Sequence, residues 1–504
     1  MQLDLKKIPF GQYLSRHLLF EEWDPQEKGY TKGLFLALAA ESSSMFGFGG
    51  AGSRGAGMVK LTPTLNGEAL PVEAEANVSE AAVHCGGKTL RMAIDGKALL
   101  LESDGLGLTM QVRLGFGETA AAFENGYVLN MGATRYIIEM RKGRADLQVM
   151  WDLTALHSTD PVITLTPEDG VLEAVFWDTD SSFARPEIAA DVTAAAEKAK
   201  AAFAAFRAGC FGTNEQYAYI LWLGFQELRG QRLLISNKLS DVKALGRSQF
   251  LAALAYKEPE QVIDGLMSVF RLMTPGGMVP AWVKASAVLP EAAPPLWGLA
   301  LTRAFARGGM EAVPREKLER CFALAKKAAE WWFENRSTDG ACFYAYAYES
   351  GWAKRPLPSD AAPQIFPDLC AWMYLNCKAL AALADQLGLK EDAAAWHGKM
   401  SGQLAVLKSL WKNGAFVIRN AVTGEEQPCP ADNGLMTLSL GADLPREIAP
   451  TGETDGIPAY IAALGCGMRA AALMDRSIEA EHAPAAANYD PEICALMLAL
   501  EERS

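Results

Sequence analysis

Hydrophobic residues in the first 185 positions occur in short runs that are typical of β-strands. Runs such as LRMAIDG, ALLLESDG, TRYIIEMRKG and VLEAVFWDTD roughly alternate hydrophobic with polar positions and end in turn residues such as DG and KG. A period of two places alternate side chains on opposite faces of a strand. Repeated runs of this kind, separated by glycine-containing turns, predict an antiparallel β-sandwich domain over residues 1–185.

After residue 185 the hydrophobic spacing changes to that of helices. Apolar residues recur every three or four positions in stretches that end near glycine or proline, as in MTPGGMVP and QLGLKED. Stretches with this spacing include IAADVTAAAEKAKAAFAAFRA, YAYILWLGFQEL, REKLERCFALAKKAAEWWFEN and IPAYIAALGCGMRAAALMD. We therefore expect a mainly α protein, in which the β domain precedes a helical toroid over residues 186–504.

The overall charge argues against a nucleic-acid partner. The 504 residues carry a net charge of −13 without any basic run, whereas phosphate binding requires clustered lysine and arginine.

No stretch approaches the roughly 20 apolar residues of a membrane span, and the first residues lack the pattern of a signal peptide. Nine cysteines occur singly, which favours buried thiols in a reducing compartment over a zinc site or a disulfide framework. The expected location is the cytoplasm.

A glycine-rich segment, GFGGAGSRGAG at residues 47–57, contains the G-x-G-x-x-G pattern of dinucleotide sites. That site requires a helix directly after the glycines, but MVKLTPTLNGEALPV follows and is typical of a strand and a turn. A loop between strands is the better interpretation.

Metal binding is not indicated either, because none of the five histidines has a metal-ligand spacing. They are His17, His84, His157, His397 and His482. We predict no cofactor and no metal.

Four stretches of the helical half occur in an order that is found in sugar-cleaving enzymes. They are residues 234–256; the loops LMTPGGMVPAWV and EAAPPLWGLAL; ESGWAKRP followed by PDLCAWMYLNCKALAALADQLG; and GLMTLSLGADLPREI. In this order they resemble the trehalase and family 63 glucosidase group of glycoside hydrolases. The resemblance covers about residues 215–450 and rests on the shared order of the motifs, since no single motif is decisive.

The resemblance implies an (α/α)6 barrel behind the N-terminal β-sandwich and hydrolysis of α-glucosidic bonds with inversion. An inverting glycosidase uses one protonated carboxyl to donate to the leaving oxygen and one carboxylate to activate water. The two groups stand roughly 6.5–9.5 Å apart. A carbohydrate or glycoside is the implied ligand.

The sequence departs from the family at three of its site motifs. The acid of E-S-G-W-D falls on Ala353, the sugar-holding W-D pair falls on Gly246 and Arg247, and the base falls on Ala487 in ANYDP. Alanine cannot transfer a proton, and the loss of either carboxyl removes about 10²–10⁴-fold of acid–base catalysis. We therefore expect a carbohydrate-recognising homologue that is catalytically impaired.

Two alternatives stay open. Hydrolysis could persist through relocated carboxylates, for which the candidates are Glu349, Asp360, Glu453 and Asp455. The competing interpretation of each is a solvated loop acid or a helix cap. We expect Asp368 to cap the helix that follows it, and Asp490 to be another cap or a turn residue. The second alternative is a non-catalytic interaction scaffold.

Aromatic and basic residues near the same motifs are candidates for substrate binding. Trp352, Trp282 and Tyr348 could stack on sugar faces, whereas Trp297, Trp331, Trp332, Trp372 and Trp396 are expected to fill the core. Arg247 and Lys354, with Arg355, would hold an anionic ligand such as a uronate or a sugar phosphate if they face the cavity. Their competing interpretation is surface ion pairs.

Overall fold

The computed structural model describes residues 1–21, 33–38, 58–69, 73–112, 118–131, 134–149, 151–152, 157–158, 161–179, 184–228, 230–234, 245–283, 291–351, 362–450, 461, 464 and 490–502. Within these ranges, strands fill the part of the chain before residue 180 and helices predominate after residue 190. The predicted change from β-rich to helical structure is therefore confirmed.

The N-terminal strands form two large antiparallel sheets. The strands are β1 (Gln2–Leu3), β2 (Phe10–Gly11), β3 (His17–Phe20), β4 (Leu34–Leu38), β5 (Met58–Leu65), β6 (Glu68–Ala69), β7 (Glu73–Asn77), β8 (Ala81–Cys85), β9 (Lys88–Asp95), β10 (Ala98–Ser103), β11 (Gly107–Val112), β12 (Thr119–Phe123), β13 (Gly126–Met131), β14 (Thr134–Lys142), β15 (Arg144–Gln148), β16 (Trp151–Asp152), β17 (His157–Ser158), β18 (Val162–Thr166) and β19 (Leu172–Thr179). The first sheet has the strand order β1-β7-β8-β9-β10-β19-β14-β13-β12. The second has the order β15-β18-β11-β5-β4-β3-β2, with β6 paired to β5, and β16 pairs separately with β17.

The helical part carries α-helices with a few short strand pairs between them. The helices are α1 (Val192–Ala208), α2 (Glu215–Gly224), α3 (Leu245–Ala252), α4 (Pro259–Phe270), α5 (Trp297–Arg307), α6 (Arg315–Asn335), α7 (Pro367–Leu387), α8 (Lys390–Ser409), α9 (Ala431–Leu435) and α10 (Pro491–Glu501). The strands are β20 (Phe225–Leu228), β21 (Gln231–Leu234), β22 (Ser337–Thr338), β23 (Ala341–Cys342), β24 (Gln364–Ile365), β25 (Trp411–Lys412), β26 (Ala415–Asn420) and β27 (Glu426–Pro428).

Strand alternation divides the first sheet between two buried clusters. One face joins a cluster with the second sheet, and its members include Leu90, Met92, Leu99, Leu101, Leu61, Leu108 and Met110. The other face packs on the first helix, through Ala93, Ala98, Leu100, Val175, Trp177, Val192, Ala195 and Ala196. The small alanine side chains of α1 allow the helix to lie close to the sheet. The first cluster continues into the helical part, so the two parts share one core.

Two segments differ from the helical pattern of the sequence. The predicted helix YAYILWLGFQEL ends at Gly224, and FQEL forms β20, which pairs with β21. The chain reverses near Gly230, whose φ of +69° is available to glycine at little cost. Further along, β25 and β26 form a hairpin around Asn413 and Gly414, both at positive φ. An Asn-Gly pair is a strong sequence signal for a hairpin.

Helix starts confirm one of the two predicted aspartate caps. The Asp490 carboxylate accepts hydrogen bonds from Glu492 N at 3.0 Å and from Ile493 N at 3.2 Å, so it caps α10 as expected. The prediction for Asp368 is wrong. Phe366 occupies the cap position of α7 and Pro367 the first helical position, which places Asp368 inside the first turn with no exposed surface.

The predicted core residues are largely buried. Trp297, Trp332, Trp372 and Trp396 lie inside, while Trp331 is half-buried and packs edge-on against Trp332. Of the eight cysteines within the described ranges, seven are buried and all carry free thiols.

The glycine-rich segment 47–57 lies outside the described residues, but the segment that follows it forms β5, as predicted. No helix in the described part of the chain is long and apolar enough to cross a membrane.

Candidate functional site

The motif stretches of the helical part lie side by side in the fold. The loop after α4 runs antiparallel to the loop before α5. The two loops are joined by a hydrogen bond in which Ala293 N donates to Val279 O at 2.9 Å. The turn that contains Glu349 joins them, since Ala292 N donates to Glu349 Oε1 at 3.3 Å. Three stretches that are well separated in the sequence therefore meet at one place.

Glu349 holds the turn formed by residues 345–351. Its side chain has no exposed surface, Oε2 accepts from Ala345 N at 2.8 Å, and Oε1 lies 3.4 Å from Arg336 Nη2. Burial raises the pKa of the Glu349 carboxyl, and Arg336 with the backbone amides opposes that rise. The carboxyl thus ties its own turn to the loop before α5 and to the end of α6.

Arg247 and Glu492 form a largely buried ion pair that contacts the end of the same turn. Arg247 Nε donates to Glu492 Oε1 at 2.8 Å, and Arg247 Nη2 lies 3.5 Å from Oε2. Ser248 Oγ donates to Oε2 at 3.1 Å. Arg247 Nη1 also donates to the carbonyl oxygen of Gly351 at 3.0 Å, so the guanidinium links α3, α10 and the turn.

The local geometry explains the glycine at position 351. Its φ is +70°, a region that side-chain-bearing residues rarely adopt. A Cβ atom there would lie 2.9 Å from Arg247 Nη1 and 3.9 Å from Pro294 Cγ. The guanidinium can approach the Gly351 carbonyl only because the side chain is missing.

A second polar cluster lies in the core behind the turn. Asp368 Oδ2 accepts from Asn433 Nδ2 at 3.0 Å and lies 3.5 Å from the Tyr344 hydroxyl, while Oδ1 accepts from Leu369 N at 2.8 Å. Burial raises the pKa of Asp368 to about 7, against the opposing effect of these hydrogen bonds. Asn433 Oδ1 is buried and has no hydrogen-bond partner among the described residues.

The structure brings together two of the predicted site residues at one turn, since Glu349 lies within it and Arg247 contacts the carbonyl of Gly351. Trp282 is half-buried and packs against the main core, next to the loop that contacts Glu349. The backbone of Tyr348 lies in the 3-10 turn Ala347–Ser350. The other predicted positions lie outside the described residues: Trp352, Ala353, Lys354, Arg355, Asp360, Glu453, Asp455 and Ala487.

Sequence reasoning missed Glu492 as a site residue. It follows Asp490 and Pro491 directly, in the motif where the family's base was sought at Ala487. Its local signal is that of an ordinary acid in the first turn of a helix, where the helix dipole favours a negative charge. Within the described ranges, no group of three or more His, Cys, Asp and Glu side chains could hold a metal ion.

The geometry of this site is that of a positioned turn. Glu349 lies within the turn, Glu492 reaches the turn through Arg247, and each of the two carboxylates lies against an arginine. Hydrogen bonds to arginine and to backbone amides hold a carboxylate in one orientation. The described part of the site therefore fixes the turn at residues 345–351.

Comparison with known proteins identifies the fold. No protein-family model and no curated protein matches the sequence. Two solved structures of a family GH92 α-mannosidase from Bacteroides thetaiotaomicron are similar over nearly the whole chain. One has a TM-score of 0.54 at 10% identity and covers 98% of this chain and 82% of that chain. The other, in complex with mannoimidazole, has a TM-score of 0.53 at 9% identity and covers 99% and 82%.

A GH63 mannosylglycerate hydrolase from Thermus thermophilus, in complex with Tris, is similar over a smaller part. It is 14% identical, covers 54% of this chain and 96% of that chain, and has a TM-score of 0.43, too low to carry an argument. The neighbours above 0.5 define the class: the chain has a glycoside hydrolase-like fold. The resemblance drawn from the sequence is confirmed at that level, and the fold does not favour the trehalase and family 63 group over GH92.

Proposed function

We propose that this protein recognises a carbohydrate or glycoside with a glycosidase-like site whose hydrolytic activity is impaired. In this proposal the chain is a homologue of the trehalase and family 63 group, with a β-sandwich at residues 1–185 and an (α/α)6 barrel at residues 186–504. The proposed acid and base positions carry Ala353 and Ala487. A protein with alanine at both positions retains a shaped site without the groups that transfer protons.

Since α1 packs on the β-sheet, the contacts of α10 with the next two helices, α2 and α3, support a closed ring. The helix α10 packs against α2 and α3, although more than 230 residues separate α10 from either of them. Glu501 Oε2, near the end of α10, accepts from Thr213 N at 2.7 Å, just before α2 begins. In the same part of the chain α7 packs against α5, α6 and α8. A ring closes when its last helix contacts its first, so these contacts favour the barrel.

The observation that carries the proposed function is the fixed turn at residues 345–351. Glu349 holds it from within, Arg247 holds it at the Gly351 carbonyl, and the candidate sugar-stacking residue Trp352 follows in the sequence. Two carboxylate–arginine pairs therefore converge on one turn, which supports a ligand site over an interaction scaffold. Each of the two carboxylates lies against an arginine, which suits positioning better than proton transfer.

Hydrolysis through a relocated carboxyl is the second candidate function. One observation favours it, because burial raises the pKa of Glu349, which is the direction that a general acid requires. Asp360, Glu453 and Asp455 are its other proposed carboxylates. Under this alternative, Glu349→Gln abolishes turnover.

The test combines a ligand screen with a hydrolysis screen on the same preparation. Thermal unfolding is followed with neutral sugars and with sugar acids, and aryl α- and β-glycosides are assayed for release of the aryl group. We expect a raised midpoint with a neutral sugar and no turnover. Trp352→Ala should remove the ligand-induced rise, while Trp352→Phe, which keeps an aromatic plane, should retain most of it. Turnover that Glu349→Gln abolishes would establish the second candidate instead.

A further inference from the structure

A crevice lies between α1 and the turn that connects β7 with β8. Its volume is about 320 Å³, which lies within the range of small-molecule sites. The turn lines it with Val78, Ser79 and Glu80, and α1 lines it with Thr193, Glu197 and Lys200. These elements belong to the first sheet and to the helix that packs on it, not to the turn at residues 345–351.

One ion cluster connects the two walls of the crevice. Arg91, on β9, donates from Nε to Glu80 Oε1 at 2.6 Å and from Nη2 to Glu80 Oε2 at 2.9 Å. Its Nη1 donates to Glu102 on β10, and both of its terminal nitrogens lie 3.4 Å from the hydroxyl oxygen of Thr193. The guanidinium is thus held by two carboxylates, so its charge is compensated within the fold. The cluster shapes the crevice and leaves the other charges of its lining to a ligand.

Those other charges lie on one side of α1. Thr193, Glu197 and Lys200 are spaced so that their side chains share one face of the helix. The Cβ atoms of helix residues three positions apart, such as Glu197 and Lys200, are separated by about 5–6 Å. Both residues are exposed, and among the described residues neither of them forms a salt bridge. The crevice therefore presents an acid and a base next to each other, both open to a small ligand.

We propose that this crevice binds a small zwitterion of the α-amino acid class, whose ammonium group contacts Glu197 and whose carboxylate contacts Lys200. A molecule that carries both charges close together can contact both side chains with charge-assisted hydrogen bonds. A molecule with one charge finds only one partner and is repelled by the other side chain. Val78 and Ala196 also line the crevice, so an aliphatic side chain on the ligand would remove apolar surface from water. The inference goes beyond the proposed carbohydrate function and does not depend on it.

The test uses three ligands of similar shape that differ in charge. L-Leucine carries both charges, isocaproate lacks the ammonium group, and isoamylamine lacks the carboxylate. Their affinities for the full chain are measured by NMR titration of the amide resonances of residues 77–80 and 193–200, which also locates the site. We expect leucine to bind with a dissociation constant on the order of millimolar, and each analogue to bind about threefold or more weakly. Equal affinities of the three ligands, or the absence of shifts in these residues, overturns the proposal.

Two substitutions assign each charge of the ligand to one residue. In Glu197→Gln, leucine should lose its advantage over isocaproate, because its ammonium group no longer meets a carboxylate. In Lys200→Gln, leucine should lose its advantage over isoamylamine, because its carboxylate no longer meets an ammonium group. Each substitution should leave the other ratio nearly unchanged. If either variant keeps both wild-type ratios, the assignment is wrong.

Matched controls and a blocked crevice complete the test. Glu316→Gln on α6 and Lys390→Gln on α8 change exposed charges outside the crevice and should keep the wild-type ratios. Thr193→Trp, at an exposed position of α1, should fill the crevice and weaken leucine binding about tenfold or more, and Ser79→Trp should do so from the opposite wall. Thermal unfolding verifies that each variant is folded, and undiminished leucine binding by a folded tryptophan variant overturns the proposal. Because no sugar is used, failure of the carbohydrate proposal and failure of this one are observed separately.

Discussion

The buried carboxyl of Asp368 should make the stability of the protein depend on pH near neutrality. The ordinary pKa of an aspartate is 3.8, and burial raises that of Asp368 to about 7 in the folded chain. At a pH between these two pKa values, the Asp368 carboxyl is ionised in the unfolded chain and still protonated in the folded chain. Ionisation of Asp368 therefore favours unfolding. A pKa gap of about 3, at 1.36 kcal/mol for each tenfold change, corresponds to about 4 kcal/mol at full ionisation. This cost is absent below about pH 4 and complete above about pH 7.

Asp368→Asn isolates this effect because the amide does not titrate. Asn433 Oδ1 is buried without a partner among the described residues, so rotation of the Asn433 amide would let its oxygen accept from the side-chain NH2 group that the substitution introduces. Urea unfolding of both proteins from pH 4 to pH 8 gives the difference in their free energies of unfolding. We expect that difference to shift in favour of the variant by up to about 4 kcal/mol as the pH rises. Asp146→Asn, at an exposed position of β15, serves as control. A pH-independent difference for Asp368→Asn refutes the reasoning.

Other substitutions test the packing around the site. Glu349→Gln should lower the free energy of unfolding by about 1–3 kcal/mol, because it leaves the buried end of Arg336 without its carboxylate; no loss in urea unfolding would argue against the anchoring role of Glu349. Gly298→Ala drives a Cβ atom into the Asn376 side-chain oxygen and should cost about 1–3 kcal/mol where α5 meets α7. Gly402→Ala, which meets nothing within 4 Å on α8, should instead stabilise by about 0.5–1 kcal/mol, and equal effects of the two alanines in thermal unfolding would contradict this packing.

Much of the fold could be predicted because its signals are local. The helix α6 spans the residues that its hydrophobic spacing indicates, β10 and β19 fall within predicted runs, and β9 overlaps one. The hairpin β20–β21 could not be predicted in this way, because FQEL continues the apolar pattern of α2. Its extended conformation depends on pairing with β21 and on the turn at Gly230.

The candidate site was only partly predictable, because its contacts join distant parts of the chain. Glu349 and Arg247 were found through motif order, but the partner of Arg247 lies 245 residues away at Glu492. Asp368 shows the same limit. Its position before a helix suggested a cap, whereas its buried contacts with Tyr344 and Asn433 depend on tertiary packing. Local pattern assigns an acid to a helix start but not to its partner.

The most direct measurement is an NMR experiment on the wild type with aryl α-glucoside and aryl α-mannoside. Saturation transfer reports binding, and the spectra of the same sample report any free sugar that forms. We predict transfer to at least one neutral glycoside, which stays intact over the whole measurement. Release of free sugar at a rate that Glu349→Gln reduces to the uncatalysed level would contradict the account, as would the absence of transfer to either glycoside.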